Sequence, residues 1–281
     1  MAGHVAGARR AAVLGSPVAH SLSPFLHRAA YAALGLHDWR YDAIECAEDD
    51  LAGLLETMGP EWAGVSLTMP LKRVVLPLLD TVSELAVEVG GANTVVFRDG
   101  RRHGENTDVY GIVRALAEAG VPAPASATVL GGGATAASAL AALRELGLTT
   151  VTLVVRDPSR AGETLSVAER LGVTVIVRGF GDLPGGADLV VSTLPSGAAD
   201  GVADVVAASL PDKGAVFDVV YSPWPTALAT AVRDRGRTVV GGLPMLLHQA
   251  VRQVELMTGR TDVPVEAMRA AGEAELARRA G

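Results

Sequence analysis

Short apolar runs and helix-spaced apolar positions alternate along the whole chain. Residues 11–14, 39–44, 65–67, 94–97 and 101–104 carry the compact or alternating apolar pattern of strands. Residues 24–34, 51–58, 83–89 and 109–119 repeat apolar side chains at helical spacing. Asp99-Gly100, between two strand patterns, predicts a tight hairpin. Val121-Pro122-Ala123-Pro124 reads as a stiff connector, and a second alternating series starts after it. There the strand patterns fall at 128–130, 150–155, 173–177, 189–192, 216–220 and 238–240. Helices are predicted at 134–146, 160–171, 245–257 and 264–279. This order of elements predicts an α/β fold with parallel sheets and right-handed crossovers.

The second series opens on a glycine loop. Gly131-Gly132-Gly133-Ala134-Thr135-Ala136 follows a strand and starts an Ala-rich helix, the pattern G-x-G-x-x-A. Gly131 permits a tight turn, Gly133 lets the backbone approach a pyrophosphate, and Ala136 allows close helix–strand packing. Free N–H groups at the helix start then face the phosphates. A glycine-rich turn that binds nothing is the plainer reading of this pattern taken alone. The next strand ends Val155-Arg156-Asp157-Pro158-Ser159-Arg160. Arg156 and Arg160 suit a 2′-phosphate and favour NADP over NAD. They also read as solvated arginines around a helix start, and an inward Asp157 would repel a phosphate.

Composition narrows the class. The chain has 281 residues, 49% of them apolar, enough for one large or two modest domains. A net charge of −7 with no basic tract argues against a nucleic-acid partner. Cys46 is the only cysteine, so no internal disulfide forms, and a cytoplasmic setting is expected. No apolar run reaches the ~18 residues of a membrane span. The six histidines show no zinc-ligand spacing, and no metal is expected.

Polar clusters follow the strands of the first half. Gly15-Ser16-Pro17-Val18-Ala19-His20-Ser21-Leu22-Ser23-Pro24 comes directly after the first strand. Ser23 before Pro24 reads as an N-cap with Pro at N1, whereas Ser21 has no such structural duty. Two hydroxyls and free amides at a helix start suit a carboxylate. Thr68 and Lys72 leave a buried strand, although most lone lysines are solvated cations. Asn93 stands at a strand start, where turn formation is the simpler account. Asp108, in Asn106-Thr107-Asp108, sits where it would cap the next helix.

In order, these segments resemble the shikimate dehydrogenase family over nearly the whole chain. The matching pieces are Gly15 to Pro24, Thr68-Met69-Pro70-Leu71-Lys72, Gly91-Ala92-Asn93-Thr94 and Asn106-Thr107-Asp108. They continue with the loop at 131–136, Tyr221-Ser222-Pro223 with Thr226, and Gly242 to Ala250. The resemblance implies a substrate domain of 1–107 plus 243–281, completed by C-terminal helices, and a Rossmann-like NADP-binding domain of 108–242. It implies reversible, NADPH-dependent reduction of 3-dehydroshikimate to shikimate in the chorismate pathway of aromatic amino acid biosynthesis. An NAD-dependent quinate/shikimate dehydrogenase is the alternative, and a catalytically silent nucleotide sensor a more distant one.

Carried over residue by residue, Ser21 and Ser23 bind the substrate carboxylate with help from Tyr221. Thr68, Asn93, Asp108 and Gln249 hold ring hydroxyls. Lys72 is catalytic and paired with Asp108. Glu84, Gly131, Gly132, Gly133, Ala134, Thr135, Val155, Arg156, Asp157, Arg160, Val219 and Gly242 face the cofactor. The resemblance admits a homodimer, with no membrane or nucleic-acid partner. The chain departs from the family pattern at Ser66, where Asn is frequent, at Ala134, at Val155-Arg156-Asp157, and at Ser192-Thr193-Leu194. All but the first lie on the cofactor side.

Overall fold

The computed structural model describes residues 8–280, the side chain of Arg160 excepted, and every count below refers to these. The chain divides into two compact units, 1–107 with 250–281, and 108–249. The strands of the first unit are β1 (Arg9–Gly15), β2 (Trp39–Glu45), β3 (Trp62–Leu67), β4 (Thr81–Val82), β5 (Thr94–Arg98) and β6 (Arg101–Glu105). Helices α1 (Ser23–Ala33), α2 (Leu51–Glu56), α3 (Leu71–Val74) and α4 (Glu84–Val89) connect them.

The six strands pair in the order β2-β1-β3-β5-β6-β4. β1 lies parallel to β2 and β3, whereas β5 runs antiparallel to both β3 and β6. The expectation of parallel sheets therefore fails here, and the cause is local. Asp99 and Gly100 both take positive φ, 53° and 72°, which closes a two-residue hairpin. So short a link cannot make the crossover that a parallel pair requires. Leu14, Val65, Leu67, Leu71 and Val95 pack as the core on one face of this sheet.

The second unit begins with α5 (Asp108–Glu118). Its strands are β7 (Ala127–Leu130), β8 (Thr150–Val155), β9 (Thr174–Gly179), β10 (Leu189–Ser192), β11 (Ala215–Asp218) and β12 (Thr238–Val240). Helices α6 (Ala134–Glu145), α7 (Gly162–Leu171), α8 (Ala203–Ser209) and α9 (Ala227–Arg233) separate them. All strands are parallel, in the order β12-β11-β10-β7-β8-β9. This is a doubly wound sheet whose strand order reverses between β7 and β10. Every residue from Ala136 to Leu143 in α6 is buried. The small alanines let that helix lie close to the sheet.

Two helices close the chain, α10 (Gly242–Thr258) and α11 (Val265–Ala280), and the division between units falls inside α10, after Gln249. The pattern of apolar positions does not reveal α3, α8, α9 or β4, each seven residues or shorter. The strand expected at 216–220 ends at Asp218, because the Asp218 carboxylate accepts the Val220 N–H at 3.2 Å and turns the chain. No described helix is long and apolar enough to cross a membrane.

Candidate active site

In the first unit the predicted substrate residues gather on the loops that leave β1 and β3. Ser16 N–H donates to the Met69 carbonyl and Thr68 N–H to Leu14, so the two loops are stitched side by side. The Glu45 carboxylate braces the first loop. It accepts the Val18 N–H at 3.1 Å, and hydrogen bonds from Ser16 and Val18 lower its pKa. The two serines exchange the duties expected of them. Ser21 Oγ accepts the Ser23 N–H at 3.2 Å, whereas the Ser23 side chain makes no capping bond. Residue 22 holds the N-cap position, and Pro24 falls in the first turn of α1. Ser23 is buried.

Thr68 and Lys72 are half-buried in the turn and short helix after β3. The Lys72 carbonyl accepts the Ala92 N–H at 2.8 Å, which ties this turn to the strand carrying Asn93. Asn93 Oδ1 in turn accepts the Thr107 N–H at 2.8 Å. Asn106 Nδ2 donates to the Gly91 carbonyl at 2.9 Å. The residue after Thr107 is Asp108, buried at the first position of α5. Thr68, Lys72, Asn93 and Thr107 thus belong to one hydrogen-bonded frame. Glu84, a cofactor candidate, is exposed at the start of α4, after the Ser83 N-cap.

Sequence reasoning missed the residues behind this frame. Tyr41 Oη donates to Ser66 Oγ at 2.7 Å, and Ser66 Oγ to Gln253 Oε1 at 2.9 Å. Gln253 Nε2 donates to Thr94 Oγ1 at 2.9 Å. Gln253 lies one helical turn beyond Gln249, a spacing that marks a shared helix face but not its partners. Gln249 is buried, with its Nε2 on the Leu246 carbonyl at 3.0 Å. The C-terminal helix was expected at 264–279, but its contact with the Ser21 loop was missed too. Arg279 donates to the His20 and Ser21 carbonyls and is held by Glu275 at 2.7 Å. Hydrogen bonds from Arg278 and Arg279 keep the Glu275 carboxyl down at about 2.

In the second unit the glycine loop closes against β10. Gly131 has φ +106°, and a Cβ there would come within 2.6 Å of Thr193 Oγ1, so only glycine fits. Gly133 is the N-cap of α6, and a Cβ there would meet nothing within 4 Å. The space in front of the helix start is therefore open. Gly131, Gly132, Val155, Arg156, Phe180, Leu194 and Ala198 line a cavity of about 370 Å³. Asp157 turns its carboxylate onto the Ser159 N–H and hydroxyl, at 3.0 and 2.6 Å. The Arg160 side chain lies outside the described residues. Ala134 and Thr135 open α6, both half-buried.

Val219 and Tyr221 follow β11 on a loop anchored by Asp218. Its carboxylate also accepts from Thr226 Oγ1 at 2.7 Å, and burial raises its pKa against those hydrogen bonds. A Cβ on Gly242 would collide with the Val219 backbone, so glycine there admits the close approach. A larger cavity of about 550 Å³ lies in the first unit among Arg9, Trp62, Phe97, Arg98 and Arg102. It contains none of the predicted site residues.

A doubly wound parallel sheet with G-x-G-x-x-A at its switch point, carried with a second α/β unit, defines a two-domain dinucleotide-binding oxidoreductase. Comparison with known proteins narrows this class. A family model described as the shikimate dehydrogenase substrate binding domain matches residues 13–95. One described as the shikimate 5′-dehydrogenase C-terminal domain matches 242–271. A Thermus thermophilus protein named shikimate dehydrogenase (NADP(+)) is 39% identical over 272 residues, covering 96% of this chain and 98% of its own. The crystal structure of Mycobacterium tuberculosis shikimate dehydrogenase is 44% identical, with a TM-score of 0.86, covering 95% and 99% of the two chains. A Thermus thermophilus shikimate 5-dehydrogenase structure in complex with NADP(H) and shikimate is 36% identical, with a TM-score of 0.83 and coverage of 95% and 99%. The chain belongs to the shikimate dehydrogenase family.

Proposed function

We propose that this protein is an NADP-dependent shikimate dehydrogenase, reversibly reducing 3-dehydroshikimate to shikimate in the chorismate pathway. The observation that carries the reading is the hydrogen-bonded frame joining the Thr68–Lys72 turn to Asn93 and Thr107. It ties the backbone of Lys72 to the strand carrying Asn93, with Thr107 next to Asp108, which supports a shared site for a polyhydroxylated ring. The substrate domain is 1–107 with the closing helices, and the nucleotide domain is the unit of the glycine loop. A buried, unpaired Cys46 is compatible with a reducing cytoplasm.

The residues of the second unit fit NADP. The open space before α6 leaves its N–H groups for a pyrophosphate. Arg156 lines the cavity, while the neighbouring carboxylate of Asp157 is engaged by Ser159 and so turned from the task of repelling a 2′-phosphate. Val155, Phe180 and Leu194 give that cavity apolar walls. Bound NADPH supplies a hydride to the ring carbon that carries the ketone. The ketone oxygen becomes an alcohol and requires a proton in the same step. Lys72 donates it, and Asp108 orients the ammonium and holds the same oxygen. In the reverse direction Lys72 takes the proton back. Ser21 and Ser23 hold the substrate carboxylate, with Tyr221 assisting, and Thr68, Asn93 and Gln249 hold the ring hydroxyls.

Initial rates with shikimate or quinate, each with NADP⁺ or NAD⁺, test this reading. The highest kcat/KM is expected for shikimate with NADP⁺. Loss of one charge-assisted phosphate contact costs roughly 1.5–3 kcal/mol, about ten- to a hundredfold in affinity. Arg156→Ala should therefore raise KM for NADP⁺ by that factor and leave KM for NAD⁺ little changed. A wild-type preference for NAD⁺ or quinate would replace the assignment with the quinate/shikimate alternative.

A further inference from the structure

One backbone N–H fixes the direction of a hydrogen-bond chain through the first unit. Thr107 N–H can only donate, and it donates to Asn93 Oδ1 at 2.8 Å. That orients the Asn93 amide, with Oδ1 toward the protein and Nδ2 as donor, here to Thr107 Oγ1 at 2.9 Å. Thr94 Oγ1, 3.0 Å from Asn93 Oδ1, must then donate to it. Thr94 Oγ1 must in turn accept from Gln253, so Gln253 presents Nε2 to Thr94 and Oε1 to Ser66. Ser66 donates to that Oε1, so its own oxygen receives the Tyr41 O–H at 2.7 Å. Donors run head to tail from Tyr41 to Asn93, with no reversal.

Every member is buried. Tyr41 and Thr94 are 0% exposed, Gln253 and Asn93 1%, and Ser66 4%. Water therefore does not compete for these groups, and each hydrogen bond polarises the next. The chain ends at the asparagine assigned to a ring hydroxyl.

We propose that Tyr41, Ser66 and Gln253 are positioning residues of the substrate site, which act through Thr94 to brace Asn93 in the orientation selected by the Thr107 N–H, with Nδ2 as its donor to the substrate. Ser66, where the family pattern often has asparagine, serves as the link that a hydroxyl makes possible, accepting once and donating once. This inference rests on the proposed function, because it assigns the chain's Asn93 end to a shikimate hydroxyl.

Two variants test it. Gln253→Met keeps the length of the side chain and removes both of its hydrogen bonds. Tyr41→Phe removes one hydroxyl and leaves the Gln253–Thr94–Asn93 segment intact. For Gln253→Met, KM for shikimate should rise about five- to twentyfold, with KM for NADP⁺ within twofold and kcat within threefold, since ring-hydroxyl contacts supply mainly uniform binding. Tyr41→Phe should move shikimate KM in the same direction by a smaller factor. A buried Tyr41 hydroxyl should also give a slowly exchanging proton resonance in the wild type, absent in Tyr41→Phe and shifted in Gln253→Met. Unchanged shikimate KM in a folded Gln253→Met enzyme overturns the chain's role. So does an equal rise in both KM values with a fall in Tm, which marks packing alone. If Gln253→Met does not fold, Tyr41→Phe decides the matter by the same KM comparison. A wild-type enzyme inactive on shikimate would overturn the proposed function, and the substrate role of the chain with it, even with the tyrosine resonance in place.

Discussion

His27 is fully buried on α1, with its ring stacked 3.9 Å from Tyr41 and Nδ1 on the Ser23 carbonyl at 2.9 Å. Burial lowers its pKa to about 4, against the pull of that carbonyl. The unfolded chain binds this proton near pH 6.5 and the folded chain only near pH 4. Stability supplied by the neutral ring is therefore present above pH 6.5 and is lost as pH falls from 6.5 toward 4. Between pH 7 and 5 the loss is about 2 kcal/mol. Urea unfolding at those two pH values checks it, and His27→Gln should flatten the difference. Glu275, with its depressed pKa, contributes stability that is fully present above pH 4.5 and is lost only as pH falls from there toward about 2, so it adds little to the change between pH 7 and 5. The same corner shows where residue-level reading stops. Ser23 before Pro24 has the sequence of a cap, yet Ser21 takes the backbone N–H, since a turn from Val18 to Ser21 brings it there. Ser23 is instead the first residue of α1 and is buried there.

At the scale of elements, periodicity recovers the long helices and most strands, because each buries one face or a whole run. The short helices α3, α8 and α9 offer too few turns for a repeat to register. Tertiary context alone defines β4, two residues paired with His103 and Gly104. The purpose of α11 was equally hidden. It packs on α1, and Arg279 on its last turn reaches the His20 and Ser21 carbonyls while stacking near Phe25. The loop that carries Ser21 is thus held by a residue close to the chain's end. Arg279→Ala should raise KM for shikimate several-fold, leave KM for NADP⁺ unchanged, and speed amide exchange around Ser21–Phe25. Normal exchange there would show that the loop holds itself.

For the whole molecule, the two units were not equally legible. The second follows one rule, strand–helix alternation around a glycine loop, and all its strands are parallel. The first mixes parallel and antiparallel pairs, and its order depends on a hairpin and on non-local pairing. Motif order nonetheless singled out the candidate residues, most of which sit on loops directly after strands. Their support, from Tyr41 to Gln253, spans distant parts of the chain and emerged only from the fold. The central claim is that the first unit performs proton transfer while the second holds the dinucleotide. Lys72→Ala tests it most directly, with 3-dehydroshikimate reduction and NADPH binding measured on the same folded protein. The account predicts NADPH affinity and Tm near wild type, with turnover reduced about 10²- to 10⁴-fold. Near-normal turnover at saturating 3-dehydroshikimate would contradict it and send the proton to another group.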